Sequence, residues 1–175
     1  MNAPTLLTAR LRLQAPCKAD FEAYLAMWQD DEVVRFLGGQ TRPHQDAWLT
    51  FIRQAGLWPV LGYGYWTVRT RREGEYVGEI GFADYGRGMV PDISGFPEAG
   101  WVLARAHWGQ GYASEALGAI HNWLDHTRPG RSICIIEPDH AASIRIAQKL
   151  AYSQFADSVY RGTPMRIFER TTSGA

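Results

Sequence analysis

Apolar residues change their period several times along this chain, and each change marks an element. Around residues 9 to 14 they alternate with polar ones, as Leu11 and Leu13 do, which predicts a half-buried strand. Behind Asp20 the spacing lengthens: Phe21, Tyr24, Leu25 and Trp28 fall on one helical face, and a shorter helix covers Asp31 to Leu37. Ala47, Trp48, Phe51, Ile52 and Ala55 place a further helix between Pro43 and Ala55. The runs Gly64 to Thr70 and Glu75 to Tyr85 are rich in aromatic and β-branched residues and flank Arg71-Arg72-Glu73-Gly74, which predicts a hairpin. Gly86 to Pro97 is crowded with glycine, proline and small polar residues and reads as an exposed loop. A strand from Ala99 to Leu103 follows, then a long helix with Ala113, Ala116, Leu117, Ile120, Trp123 and Leu124 on one face. The apolar strand Ser132 to Ile136, a helix from Ala141 to Leu150, and strands at Phe155 to Tyr160 and Met165 to Arg170 complete the pattern. It predicts an α/β fold with a mixed, largely antiparallel sheet, and it contains no internal repeat.

The join between the strand ending at Leu103 and the long helix carries the most chemistry. Trp108-Gly109-Gln110-Gly111-Tyr112-Ala113-Ser114 is a two-glycine turn that runs straight into the helix. The first amides of a helix lack internal partners and carry the positive end of the macrodipole, so glycines before them let a phosphate approach the backbone. A Walker loop is excluded, because Gly111 is followed by Tyr112 and Ala113 and not by Lys-Ser/Thr. A dinucleotide fingerprint fits poorly too: Ser114 stands where it needs a third glycine or alanine, and Ala104 to His107 separate the turn from its strand.

What the segment resembles is the pyrophosphate loop of the GNAT acetyltransferase superfamily, Gln/Arg-x-x-Gly-x-Gly/Ala, and within it the RimJ/RimL-like branch. The resemblance covers nearly the whole chain. Thr8-Ala9-Arg10-Leu11-Arg12-Leu13 is similar to that branch's opening strand, and Glu98-Ala99-Gly100-Trp101-Val102-Leu103 to its fourth strand. Pro138-Asp139-His140-Ala141-Ala142-Ser143, continuing to Lys149-Leu150-Ala151-Tyr152, resembles the family's Asn-x-x-Ser helix ending in Lys-Leu-Gly-Phe. Trp108 stands at the loop's usual Gln/Arg, His140 at the Asn, and Ala151-Tyr152 at the Gly-Phe.

The resemblance implies a GNAT-like sheet with splayed central strands flanked by helices, one acetyltransferase domain over residues 1 to 175, and acetyl-CoA as cosubstrate without a metal. The amides of Gly109, Gln110, Gly111, Tyr112, Ala113 and Ser114 would hold the pyrophosphate, with Trp108 beside the cofactor at the start of the loop. The backbone of Trp101, Val102 and Leu103 would pair with pantetheine, and His140 would touch the cofactor. The implied reaction is N-acetylation: direct attack of a primary amine, on a protein N-terminus or a small molecule, on the thioester in a ternary complex. The alternative is a non-catalytic CoA-binding or regulatory module on the same fold. Attack needs a neutral amine, a stabilised carbonyl oxygen and a proton for the departing thiolate. An α-amine, with a reference pKa of about 7.7 to 8.0, needs only a modest base, whereas a lysine at about 10.4 needs more. Glu98, at the start of the fourth strand, is the implied base, directly or through a water. Ser143 is the implied donor to the thiolate, with Tyr152 as second choice. The acceptor would lie against the first two helices and Phe36 to Arg42, Leu57 to Tyr63 and Gly86 to Pro97, where Trp28, Trp48, Trp58, Tyr63 and Trp66 are each pocket-lining or core. Association through the late strands leaves a homodimer open.

Length and charge agree with this. The chain has 175 residues, with 18 basic and 18 acidic side chains and no long single-sign run, so there is no electrostatic footprint for nucleic acid or an anionic membrane. Cys17 and Cys134 show neither metal-ligand nor pairing spacing, and the start lacks a leader pattern, which suggests a reduced cytoplasmic setting. Cys134, in an apolar strand, reads as core. His44, His107, His121 and His126 show no metal pattern, and His121 with Asp125 reads as a solvated i, i+4 pair.

Overall fold

The computed structural model describes residues 3 to 172. A short strand that the pattern does not predict, β1 (Leu6–Leu7), comes first; the predicted strands become β2 (Leu11–Gln14), β3 (Tyr65–Thr70), β4 (Tyr76–Ala83), β5 (Glu98–Leu103), β6 (Arg131–Ile136), β7 (Ser153–Tyr160) and β8 (Thr163–Thr171). They form one sheet in the order β1-β2-β3-β4-β5-β6-β8-β7. Every neighbouring pair is antiparallel except β5 and β6, which run parallel. The helices are α1 (Phe21–Trp28), α2 (Asp31–Val34), α3 (His44–Ala55), α4 (Leu57–Leu61), α5 (Tyr112–Thr127) and α6 (Ala141–Lys149). The mixed, largely antiparallel sheet is the one the apolar pattern predicts.

Strand alternation sorts side chains onto two faces. Leu11, Leu13, Trp66, Val68, Ile80, Phe82, Ala99 and Leu103 meet the apolar stripe of α5, and Ala147 brings α6 into the same core. On the opposite face α1 and α3 pack Phe21, Tyr24, Trp28 and Phe51 against one another and against Val102 and Tyr76. Cys134 is fully buried, as its apolar strand predicts. Among the described residues no helix is long and apolar enough to cross a membrane.

The structure departs from the sequence pattern in four further places. α2 stops at Val34, where the amides of Leu37 and Gly39 fold back onto the Val34 carbonyl. Leu57 to Leu61 forms a short helix rather than a loop, and Pro59 sits in its first turn, where a missing N–H costs no hydrogen bond. Trp58 on that helix is buried edge-on against Trp66 and Trp123, at ring separations of 4.6 and 5.3 Å. Gly86 to Pro97 is not simply exposed: Met89 and Ile93 are buried against Ile133 and Ile167 and cover the sheet beyond α1 and α3. A glycine-rich composition hides two such anchors.

The fourth departure is His121, which is buried and not solvated with Asp125. Its Nδ1 lies 2.7 Å from the Leu117 carbonyl, so Nδ1 carries the proton and donates. Nε2 therefore accepts from the Tyr152 hydroxyl at 2.9 Å, and that hydroxyl in turn accepts from Ser132 Oγ at 2.8 Å. Burial lowers the imidazole pKa to about 4, so the ring stays neutral. Asp125 pairs with Arg170 at 2.7 and 2.6 Å.

This chain makes a stability prediction. Tyr152→Phe installs the residue of the resembling motif but strands His121 Nε2 and Ser132 in the core, at a cost of about 1 to 3 kcal/mol. For a chain of this size thermal unfolding should show a Tm lower by roughly 2 to 12 °C. An unchanged Tm would mean that the hydrogen-bond chain contributes nothing.

Candidate active site

β5 and β6 share a single register pair, Glu98 with Ile133, supported by a 3.0 Å hydrogen bond from the Ile133 amide to the Pro97 carbonyl. Beyond it they diverge, and the gap opens toward their C-terminal ends, where α5 and α6 begin. A crevice at the carboxyl ends of parallel strands is the usual ligand position in α/β sheets. The splayed central strands implied by the sequence are present.

Backbone parity decides what β5 offers to the gap. The Ala104 amide donates to Val77 of β4, so Glu98, Gly100 and Val102 also turn their backbone toward β4. Ala99, Trp101 and Leu103 face the gap. The Leu103 carbonyl accepts from Trp108 Nε1 at 2.8 Å, which leaves the Trp101 N–H and C=O and the Leu103 N–H free of the ladder. Val102 differs from the sequence expectation: its backbone pairs with Glu79, and its side chain packs toward α1 and α3.

At the mouth, Gly111 is the N-cap of α5 at φ 78°, a left-handed conformation that glycine adopts without strain. With no side chain to cap the helix, the amides of Tyr112, Ala113 and Ser114 are open to a ligand. A Cβ placed on Gly109 would meet nothing, and one on Gly111 only Arg10 Nη2 at 3.5 Å. The approach to these amides is therefore unobstructed by side chains of the loop glycines. Trp108 is folded back over the end of β5, and Gln110 Nε2 donates to the Ala106 carbonyl at 3.0 Å.

Sequence reasoning missed the residue that holds this loop. Arg10, in the turn between β1 and β2, donates from Nη1 to the Gln110 carbonyl at 2.9 Å and from Nε to Glu115 at 2.7 Å. Its guanidinium lies 4.6 Å over the Tyr112 ring, and its backbone amide and Thr8 Oγ1 donate to the other Glu115 oxygen. Burial raises the Glu115 pKa, but donors from Thr8 and Arg10 outweigh it and hold the group below its ordinary value. The cation absent at Trp108 thus arrives from the opening strand motif. A partner so far away in sequence leaves no local signal.

Ser143 and His140 lie at the start of α6. Ser143 is buried, its Oγ 3.0 Å from His140 Nε2, and the imidazole stacks on Phe36 at 4.4 Å. Burial lowers the His140 pKa. Tyr152 is elsewhere, its hydroxyl held between His121 and Ser132.

The closed end belongs to Glu98, whose two oxygens accept from Arg87 Nε and Nη2 at 2.8 and 2.7 Å. The guanidinium lies against the rings of Tyr85 and Tyr160, at 4.5 and 4.6 Å. Arg87 comes from the segment read as a loop and was not foreseen. Glu79 was not foreseen either. Register puts it on the same sheet face as Glu98, with the facing glycines Gly81 and Gly100 between them. The Tyr65 hydroxyl fills the space a Cβ on Gly100 would need, and accepts from Tyr85 at 3.1 Å. Glu79 accepts from Trp28 Nε1 at 3.1 Å, beside Arg42, which stacks on Trp28 and donates to the Tyr24 hydroxyl. Burial pushes the Glu79 carboxyl up to about 7.

A sheet opened between two parallel strands, with an uncapped helix start at the mouth, leaves backbone groups from both free for a ligand. Residues 10–153 match the Acetyltransferase (GNAT) domain family, and the chain belongs to it. The Bacillus subtilis (strain 168) protein YkkB, itself uncharacterized, is 29% identical over 97% of this chain and 98% of its own. A solved GnaT-family acetyltransferase from Bordetella pertussis, described as putative, is 28% identical with a TM-score of 0.84, over 97% of this chain and all of that one. The fold is shared also with RimL, a ribosomal L7/L12 α-N-protein acetyltransferase solved with coenzyme A, at a TM-score of 0.79 and 14% identity over 97% of this chain and 98% of that one.

Two outcomes follow from this geometry. Arg10→Ala should loosen the loop and raise the dissociation constant for acetyl-CoA about threefold to tenfold, up to about 1.4 kcal/mol, in titration calorimetry; unaltered affinity would show that the loop stands without its tie. Glu79 holds its proton to about pH 7 in the fold but only to 4.5 in the unfolded chain. The native state then binds more protons between those values, so stability falls as pH rises from about 4.5 to about 7, by at most about 3 kcal/mol. Urea midpoints from pH 5 to 8 should show this slope in the wild type and lose it in Glu79→Gln; a slope surviving the substitution would exclude Glu79 as its source.

Proposed function

We propose that this acetyltransferase acts on a primary amine, a protein α-amino group or a small-molecule amine, by direct attack on the acetyl-CoA thioester in a ternary complex. The observation that carries the reading is the cleft between β5 and β6 with the uncapped start of α5 at its mouth. The loop amides from Gly109 to Ser114 hold the pyrophosphate by hydrogen bonds and the helix dipole. The backbone of Trp101 and Leu103 pairs with the pantetheine amides. Ser143 donates a hydrogen bond from its hydroxyl to the departing sulfur. Bound acetyl-CoA supplies the activated acetyl group and a thiolate leaving group.

The acceptor lies on the face of α1 and α3, toward the closed end. There Glu98 is paired with Arg87, and the lone pairs not taken by the guanidinium accept from an amine or from a relaying water. A second carboxylate is favoured by its environment: Glu79, on the same face, titrates near neutrality and has the affinity for a proton that a general base needs.

Thermal unfolding with acetyl-CoA, free CoA and ATP tests the cofactor. At a hundred times the dissociation constant both CoA species should add about 2.7 kcal/mol, a shift of roughly 5 to 11 °C, and ATP should not. Product formation on an amine panel then separates the enzyme from a non-catalytic CoA-binding module. A shift with no acetylated amine would favour the module, and no shift would remove the loop assignment.

A further inference from the structure

His140 occupies the N-cap of α6 but makes no side-chain bond to the helix backbone. Its Nε2 is turned to Ser143 Oγ, at 3.0 Å, and its ring is clamped on Phe36 at 4.4 Å with the planes 20° apart. Phe36 follows α2, whose Val33 and Val34 pack with α1 and α3, whereas α6 packs on the opposite face through Ala147. The stack therefore joins the acceptor-side layer to the helix start that carries Ser143.

A serine hydroxyl has one hydrogen and two lone pairs, so its partner decides where the hydrogen goes. The geometry points to His140 as the positioning residue for Ser143: with its proton on Nε2 the imidazole donates to a Ser143 lone pair and leaves the hydroxyl hydrogen free for the leaving sulfur. This rests on the amine-transfer reading. The opposite tautomer would make Nε2 the acceptor and withdraw that hydrogen. Burial keeps the ring neutral near neutral pH, so it has a single N–H to place. The charged groups nearby are Glu137 and Asp139 in its own turn and Arg35, which lies 5.3 Å from the Phe36 ring. As the amine nitrogen bonds to the acetyl carbon, the carbon–sulfur bond breaks and sulfur keeps the electron pair. Ser143 donates a hydrogen bond to that pair, and the proton lost by the amine reaches the thiolate through solvent. His140 neither gains nor loses a proton. Phe36 fixes the ring plane and thus the direction of the Nε2–H.

The test is a double-mutant cycle on the full chain, with acetyl-CoA and an amine accepted in the panel. Ser143→Ala and His140→Ala should each lower kcat roughly ten- to a hundredfold, the worth of a hydrogen bond to a charged group, with acetyl-CoA affinity unchanged. The double variant should be no slower than Ser143→Ala alone, and Phe36→Leu should show a smaller loss of kcat. Multiplying losses, or a His140→Ala effect confined to acetyl-CoA affinity, would overturn the role of His140 while leaving Ser143 in place. Full activity in Ser143→Ala would instead remove Ser143 from the reaction and this inference with it, leaving acetyl transfer intact. Because a variant can fail through misfolding, 15N NMR of the wild-type imidazole gives an independent reading. Protonation at Nε2 is expected, and protonation at Nδ1 would overturn the assignment.

Discussion

Everything at this site depends on β5 and β6 meeting at one residue pair and then parting. Backbone amides and carbonyls in a sheet interior ordinarily find partners, because an unpaired buried one costs free energy comparable to a lost hydrogen bond. Here each strand satisfies its outer side completely, β5 against β4 and β6 against β8, so the sheet consists of two half-sheets joined at the Glu98 end. The join is locked from several directions: the Pro97–Ile133 bond, the Arg87–Glu98 pair, and Met89 and Ile93 packed on Ile133. Nothing in the ladder closes the other end. The backbone left open there is what the sheet offers to a ligand.

The open end is furnished by helices. Because the two strands are parallel, the connections that leave them start α5 and α6 at the same end, and both helix N-termini border the gap. Their positive ends both favour negative charge in the gap, for the same electrostatic reason. Two long-range ties hold that rim: Arg10, reaching from the β1–β2 turn to Gln110 and Glu115, and Phe36 stacked on His140. Each joins segments with no sequence proximity, so the rim is set by the whole sheet and not by the loops that form it.

Most of the scaffold was legible because a periodic stripe reports the buried side of its own element. Ala116, Leu117, Ile120 and Leu124 repeat at helical spacing and are buried on α5, and Gly109 and Gly111 announce the uncapped helix start. The misreadings share one cause. His121 sits on a flank that reads as polar until Tyr152 returns from after α6 to meet it. Glu79 carries no sign of burial in its own strand, and it is α1 and α3 that cover its face. Met89 and Ile93 are isolated apolar residues among glycines, with no period to betray them. Val102 belongs to the motif strand, yet only the register against β4 tells which way its backbone turns.

Periodicity, turn chemistry and motif order were therefore enough for most of the elements, the mixed sheet and the two-glycine start of α5, since each is encoded over a few turns of chain. Which polar groups meet was not, because the pairs that shape the site, Arg10 with Glu115, Phe36 with His140, Trp28 with Glu79, are brought together only when distant elements pack. The same packing decides how a titratable group behaves: burial, a property of the finished layers, carries the Glu79 carboxyl up to about 7 and His121 down to about 4, and neither residue type nor spacing contains that information.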